Sequence, residues 1–229
     1  MDQTWDFRPL CGWWGDEMLV MGVDLRASIR RPSSVVALDS LPSVTLLNSF
    51  SSNNELLEIA GTVCPDLIAI GAPLNLPSGF CCLDQSCDCQ FAVPDRKGRL
   101  LELELARMGI SCFYTNKGSI IRDLIYRGIK LNALLKSAGY NVIEVYPHAT
   151  KMVLFGDNVP SKNSAAGVDY MVAHLSQLIS GLSDHPKKLD KNDCDAVINA
   201  YTGLLHGRAA TDTLGDPEEG VVVLPKLAS

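Results

Sequence analysis

The chain has 229 residues, 47% apolar and 20% charged, with a formal net charge of −6. That is an ordinary globular composition, so it excludes a disordered chain and a histone-like basic coat. It leaves room for a nuclease, whose metal site is itself acidic. Residues 1–17 hold all three tryptophans (Trp5, Trp13, Trp14), four acidic residues and no clear periodicity. They fit two readings equally well: a loosely attached N-terminal extension, or an arm packing its tryptophans on a domain that runs from Met18 to Ser229.

From Met18 onward the pattern is α/β. Three strand-like runs, 18–25, 34–40 and 43–50, follow one another on short links and read as an antiparallel meander. Ser51 to Asn54 offer N-caps to a helix over 55–63, and Pro65 ends it. Residues 66–74 form a continuous apolar strand, as expected where both faces of a sheet are covered. A long Pro-, Gly- and Cys-rich loop spans 75–98, and helices follow at 99–110 and 119–138. A fifth strand lies at 141–147, helices at 164–182 and 195–210, and a last short strand at 219–225. Three meandering strands, a crossover helix, a parallel strand and a late helix are the order of the ribonuclease-H-like fold, so the chain is read as a mixed α/β sheet flanked by helices. No run reaches the ~18 apolar residues of a membrane-spanning helix. The N-terminus lacks the basic and apolar regions of a secretory signal. Eight cysteines in a chain able to build its own core point to a reducing, cytoplasmic protein. Nothing in the sequence sets the oligomeric state.

That layout brings carboxylates toward one edge of the sheet. Asp24 ends the first strand, Glu144 lies inside the fifth, and Asp193 and Asp195 sit at the start of the helix placed at 195–210. An acid inside a run such as VIEVY costs several kcal/mol if buried alone, so it wants a partner or a metal. Carboxylate and water ligands suit Mg²⁺ or Mn²⁺, and two such ions are the usual machinery of phosphodiester cleavage. Each acid also has a structural explanation: a turn with Arg26, a helix cap, or a pair with a basic residue. His148, just after the strand bearing Glu144, fits either a general acid or a turn histidine.

Two further features stand out. Residues 96–136 carry nine basic residues against three acidic ones in a chain that is acidic overall. Arg99, Lys117, Arg122, Arg127 and Lys130 are candidate contacts to a nucleic-acid backbone, and two ordinary solvated helix faces are the competing explanation. CCLDQSCDC (81–89) packs Cys81, Cys82, Cys87 and Cys89 together. A Zn²⁺ site is the less favoured reading, because the common C-x₂-C spacing is missing; reduced loop thiols are favoured.

GVDLR (22–26), IAIGAPLNLPSG (68–79), ELARMGI (104–110), EVYPHAT (144–150), CDAVINAYTG (194–203) and EEGVVVLP (218–225) together resemble a bacterial and archaeal family known only as domain of unknown function four-two-nine. The family is predicted to be nucleases of ribonuclease-H-like fold. The resemblance runs over residues 18–226. It implies metal ligation by Asp24, Glu144 and Asp195, with Asp193 as second choice for the helix acid. It also exposes a departure. The family strand motif I-D-A-P-L reads Ile70-Gly71-Ala72-Pro73-Leu74 here, so an expected acid is missing and a water-filled gap is expected at Gly71. The resemblance therefore implies a divalent-metal-dependent nuclease weakened at one ligand, or a catalytically impaired module that binds nucleic acid or protein.

Overall fold

The computed structural model describes residues 18–226. The segment 1–17, read above as an extension or arm, lies outside the described residues. Seven strands form one mixed sheet in the order β3-β2-β1-β4-β5-β7-β6. β1 (Val20–Asp24), β2 (Ser33–Leu38) and β3 (Val44–Phe50) make the antiparallel meander. β4 (Leu67–Ile70), β5 (Val142–Val145) and β7 (Gly220–Pro225) run parallel to β1, and β6 (Thr211–Asp216) closes the far edge as a hairpin with β7. This is the ribonuclease-H-like α/β arrangement that the element order predicts.

The helices cover both faces. α1 (Asn53–Val63) and α3 (Arg122–Ser137) bury Leu56, Ala60, Leu131 and Leu135 on Met21, Val23, Ile68 and Ile70. α5 (Ala165–Leu178) and α6 (Lys191–Gly207) pack on Val36 and Leu38 on the other face. α2 (Leu100–Arg107) and α4 (Pro147–Phe155) share a smaller cluster with β7. Two elements were not expected. The fifth strand is expected to end at Pro147 and no element is expected over 148–155, although Pro147 at the first turn of α4 is a helix-start signal. β6 has only half-buried and exposed residues and no alternating pattern to reveal it.

α6 also begins earlier than its apolar stripe suggests. Asp190 caps it, accepting from the amides of Asn192 and Asp193, while the Asp193 carboxylate accepts from the Asp190 amide. This reciprocal pair satisfies amides that a helix start leaves bare. Asp193 and Asp195 therefore lie within the first turns of the helix and not at its cap.

The contact between β1 and α6 is the tightest in the fold. A Cβ built on Gly22 would overlap the Ala196 carbonyl and the Ala200 amide of α6. Gly71 and Gly203 lie in the same layer, against Asn199 and against Val20 with Ala69. On α6 the facing residues Ala196, Asn199, Ala200 and Gly203 fall at helical spacing. Small residues on both sides let helix and sheet backbones meet. The obstacle at Gly22 is backbone, which has little room to move. Gly22→Ala is expected to cost at least about 3 kcal/mol and to lower the urea midpoint by about 1 M; an unchanged midpoint would show that α6 can slide off β1.

Candidate active site

The C-terminal ends of β1, β4 and β5 open into a cavity of about 920 Å³ that also meets α4, α6 and the segment 157–162. Asp24, Glu144, His148 and Asp195 all line it. Strand alternation nevertheless divides the acids. Glu144 is paired in register with Ile70, which faces α3, whereas Asp24 shares the parity of Gly22, which faces α6. Asp24 and Asp195 therefore approach each other on the α6 side, and Glu144 enters from the opposite face.

Each acid has a distinct electrostatic state. Both Glu144 oxygens are taken by Arg99, at 2.8 and 2.7 Å, and one also accepts the Leu74 amide at 2.8 Å. Arg99 is 1% exposed and turns its Nε to Glu102 at 3.0 Å. Glu102 in turn accepts from the Thr115 amide and hydroxyl. Asp195 accepts Lys151 at 2.7 Å on one oxygen and Lys162 at 2.6 Å on the other. Asp24 makes no hydrogen bond and no ion pair among the described residues. Burial first, then the charge of Asp195, push its carboxyl up to about 7, against the opposing pull of Lys162, Arg26 and Lys151. The cavity thus holds one carboxylate whose charge is uncompensated by any close partner.

His148 stands at the second position of α4, exposed, with Nε2 3.5 Å from the Ser111 hydroxyl and its ring edge-on to Tyr146. Partial desolvation and the Lys151 and Lys162 ammonium groups hold its pKa below the ordinary 6.5, so the ring is neutral at pH 7. Asp193 has no part in the cavity. It accepts from Ser34 and Lys187 at 2.9 Å as well as from its own cap, and it is fully buried. These bonds engage its carboxylate in starting α6 and in holding Ser34 of β2.

The basic stretch also divides. Arg99 is an internal cation, and Arg127 is buried with its guanidinium on the carbonyls of Arg26 and Ser51, tying α3 to the ends of β1 and β3. Neither is free for a phosphate. Lys117 donates to the Cys87 carbonyl and lies over the Phe80 ring. Arg122 and Lys130 are exposed on α3. The other cations lining the cavity are Arg26, Arg31, Lys151, Lys162 and Lys191, none of them among the candidate phosphate contacts read from the sequence. Pro147 and the unrecognised helix behind it were the available signal for Lys151.

Gly71 opens no water-filled gap. A Cβ there would come within 2.5 Å of the Asn199 amide nitrogen, and that amide donates to the Val23 carbonyl at 2.8 Å. Asn199, one turn beyond Asp195, fills the space expected to be vacant and fastens the end of β1. An acid at position 71 needs Asn199 to move.

The four loop cysteines are brought together: among the described residues, the sulfurs of Cys81, Cys82, Cys87 and Cys89 lie within 4.8 Å of one another. No described helix is long and apolar enough to cross a membrane.

No family model matches the chain, so the family resemblance rests on the motifs quoted above and on nothing further. No curated protein matches it either. Among solved structures it is similar to RuvC of Thermus thermophilus, at 12% identity and a TM-score of 0.45, over 84% of this chain and 97% of that one.

Two outcomes follow from these charges. Removing Arg99 leaves Glu144 and Glu102 buried and unpaired, so Arg99→Met is expected to cost about 3–5 kcal/mol in denaturant unfolding. Adding Glu144→Leu should restore a large part of it, and full additivity of the two would show that they do not interact. For Asp24 the sign is opposite to that of a paired carboxylate. The folded chain holds this proton up to about pH 7 and the unfolded chain loses it near 3.8, so stability falls as pH rises through that window. In chelator-containing buffer, Asp24→Asn is expected to be more stable than the parent at pH 8, by on the order of 2–4 kcal/mol, and equal to it near pH 4. A variant less stable at pH 8 would mean that Asp24 has a partner in solution.

Proposed function

We propose that the chain is a divalent-metal-dependent nuclease in which Asp24 and Asp195 hold Mg²⁺ or Mn²⁺ and the cavity cations hold the phosphate backbone. The observation that carries this reading is Asp24 itself: a buried carboxylate at the end of β1, close to a second carboxylate and without a side-chain hydrogen bond among the described residues. A cation relieves such a pair, and carboxylate oxygens are the donors that hard divalent ions take. The donor set is open at Asp24. At Asp195 both oxygens are held by lysines, and the half-exposed Lys162 has to swing away to free one for a metal. Glu144 does not fit, because the buried Arg99 occupies both of its oxygens, so the three-acid ligand set implied by the family resemblance is reduced to two here.

When bound, the ion supplies Lewis acidity toward the phosphoryl oxygen and a more acidic water. The protein's own groups supply the remainder. Lys151 and Lys162 neutralise Asp195 in the resting chain and lie where an entering phosphate gains from their charge. Arg26 widens the positive rim beside Asp24. His148, neutral at pH 7, accepts a proton at a ring nitrogen at the mouth of the cavity.

A second reading is favoured by one specific observation. Arg99 neutralises Glu144, and Asn199 fills the place of the family's acid at position 71, so two of the expected ligands are absent. On that reading the cavity binds nucleic acid through its cations without cleaving it.

The two separate in one experiment. Single- and double-stranded DNA and RNA are incubated with the chain in Mg²⁺, Mn²⁺ or chelator, and thermal melting is followed in the same buffers. The nuclease reading expects a metal-dependent rise in melting temperature, and cleavage lowered at least about 100-fold in Asp24→Asn. Nucleic-acid binding without cleavage in either metal would leave the binding module; cleavage retained in Asp24→Asn would place the chemistry elsewhere.

A further inference from the structure

The loop between β4 and α2 is long, spanning residues 75–98 without a helix or strand. It has little core of its own, since Leu83 is its one large apolar side chain that is fully buried. Loops of this length inside a compact domain need an organising element. Some order comes from backbone and rings. The Leu83 amide donates to the Tyr126 hydroxyl at 2.6 Å, the Phe80 and Phe91 rings meet tilted with centroids 4.5 Å apart, and the Ala92 amide donates to the Ser78 carbonyl at 2.8 Å. At the tip, the Ser86 amide and hydroxyl both donate to Asp84, and the Cys87 amide donates to the Asp84 carbonyl. That turn folds the chain back on itself, so Cys87 and Cys89 meet Cys81 and Cys82. The spacing looks awkward only if the loop is imagined extended.

All four cysteines carry free thiols, and their sulfurs lie within 4.8 Å of one another, with Cys81 and Cys87 at 3.5 Å. Four sulfurs at 2.3 Å from a central ion in a tetrahedron stand about 3.8 Å apart. The cluster therefore already has the dimensions of a tetrathiolate site. Four thiolates on a divalent ion leave two negative charges, and Lys117 is poised against them with its ammonium on the Cys87 carbonyl.

We propose that Cys81, Cys82, Cys87 and Cys89 bind one structural Zn²⁺, which staples the 75–98 loop. A site closed by four protein sulfurs leaves no position for water or substrate, so the ion's role is to hold structure. The loop joins the end of β4, at the cavity, to Arg99, the partner of Glu144. The staple thus stiffens the segment that delivers that arginine. This inference is independent of the nuclease reading and of any ion at Asp24.

The test uses the full chain purified under reducing conditions without chelator. Elemental analysis is expected to find about one Zn²⁺ per chain. Exchange into Co²⁺ should give the visible bands of tetrahedral cobalt together with thiolate charge-transfer absorption. Cys81→Ser/Cys89→Ser should lose both signals while Cys112→Ser keeps them. The cobalt spectrum of the unaltered chain stands even if the double variant fails to fold. Zinc and cobalt signals both absent, an iron-containing coloured chain, a Cys81–Cys87 disulfide in non-reduced peptide mass analysis, or zinc retained by the double variant would each overturn the assignment.

Discussion

The seating of α6 on β1 is the constraint on which the site depends. Gly22 gives the helix backbone direct access to β1, and Ala196, Ala200 and Gly203 keep the helix face low enough to use it. One consequence is energetic: two buried backbones pack without a gap, at the density of a protein interior. The other is positional. Asp24 is two residues beyond Gly22 on the same face of the strand, and Asp195 precedes Ala196 on the helix. The approach buries the Asp24 carboxyl, which raises its pKa, and brings Asp195 within electrostatic reach, which raises it further. Packing and charge at this point are a single arrangement.

The remaining charges divide by whether they are matched. Glu144, Glu102 and Asp195 would each be costly to bury alone, and each is met by a cation at salt-bridge distance. Arg99 bridges two of them, and its fork geometry suits the bidentate grip on Glu144. Asp195 takes a lysine on each oxygen, one buried and one half exposed. The half-exposed lysine is the weaker restraint, because solvent screens it. Among the buried acids of the described residues, Asp24 alone has no ion pair or side-chain hydrogen bond. In a domain otherwise careful with buried charge, that one omission is the sharpest chemical signal the fold contains.

Most of the sheet was legible in the sequence because burial leaves a periodic trace. β1, β2 and β4 are buried on both faces and read as apolar runs, and α1 and α3 show helical spacing. β6 was illegible for the opposite reason, since an edge strand with half-buried residues carries no alternation. α4 was hidden because it follows β5 after one residue, so the strand pattern ran into it. The candidate acids were legible as positions but not as states. That Asp24, Glu144 and Asp195 share a cavity follows from strand ends and a helix start. That Glu144 is neutralised by an arginine 45 residues away is a tertiary fact with no local signature. Asn199 behind Gly71 was invisible likewise, because a missing side chain in the sequence says nothing about what fills its place.

Strand parity explains why Glu144 and Asp24 part company. On a sheet, residues paired in register share a face, so Glu144 goes with Ile70 and Val23 into the layer beneath α1 and α3. That layer is the apolar core, and an acid entering it at the strand's end must be met by a cation from the same side. The 75–98 loop leaves β4 on its way to α2 and delivers Arg99 to meet it. Arg99, at the start of α2, is therefore part of the wall of the cavity and an internal counter-charge, not a surface contact for phosphate. Other basic residues of the 96–136 stretch, among them Arg122 and Lys130 on α3, are exposed. Arg26, Lys151 and Lys162 are among the cations that line the cavity and act on Asp24, which has no ion pair of its own among the described residues.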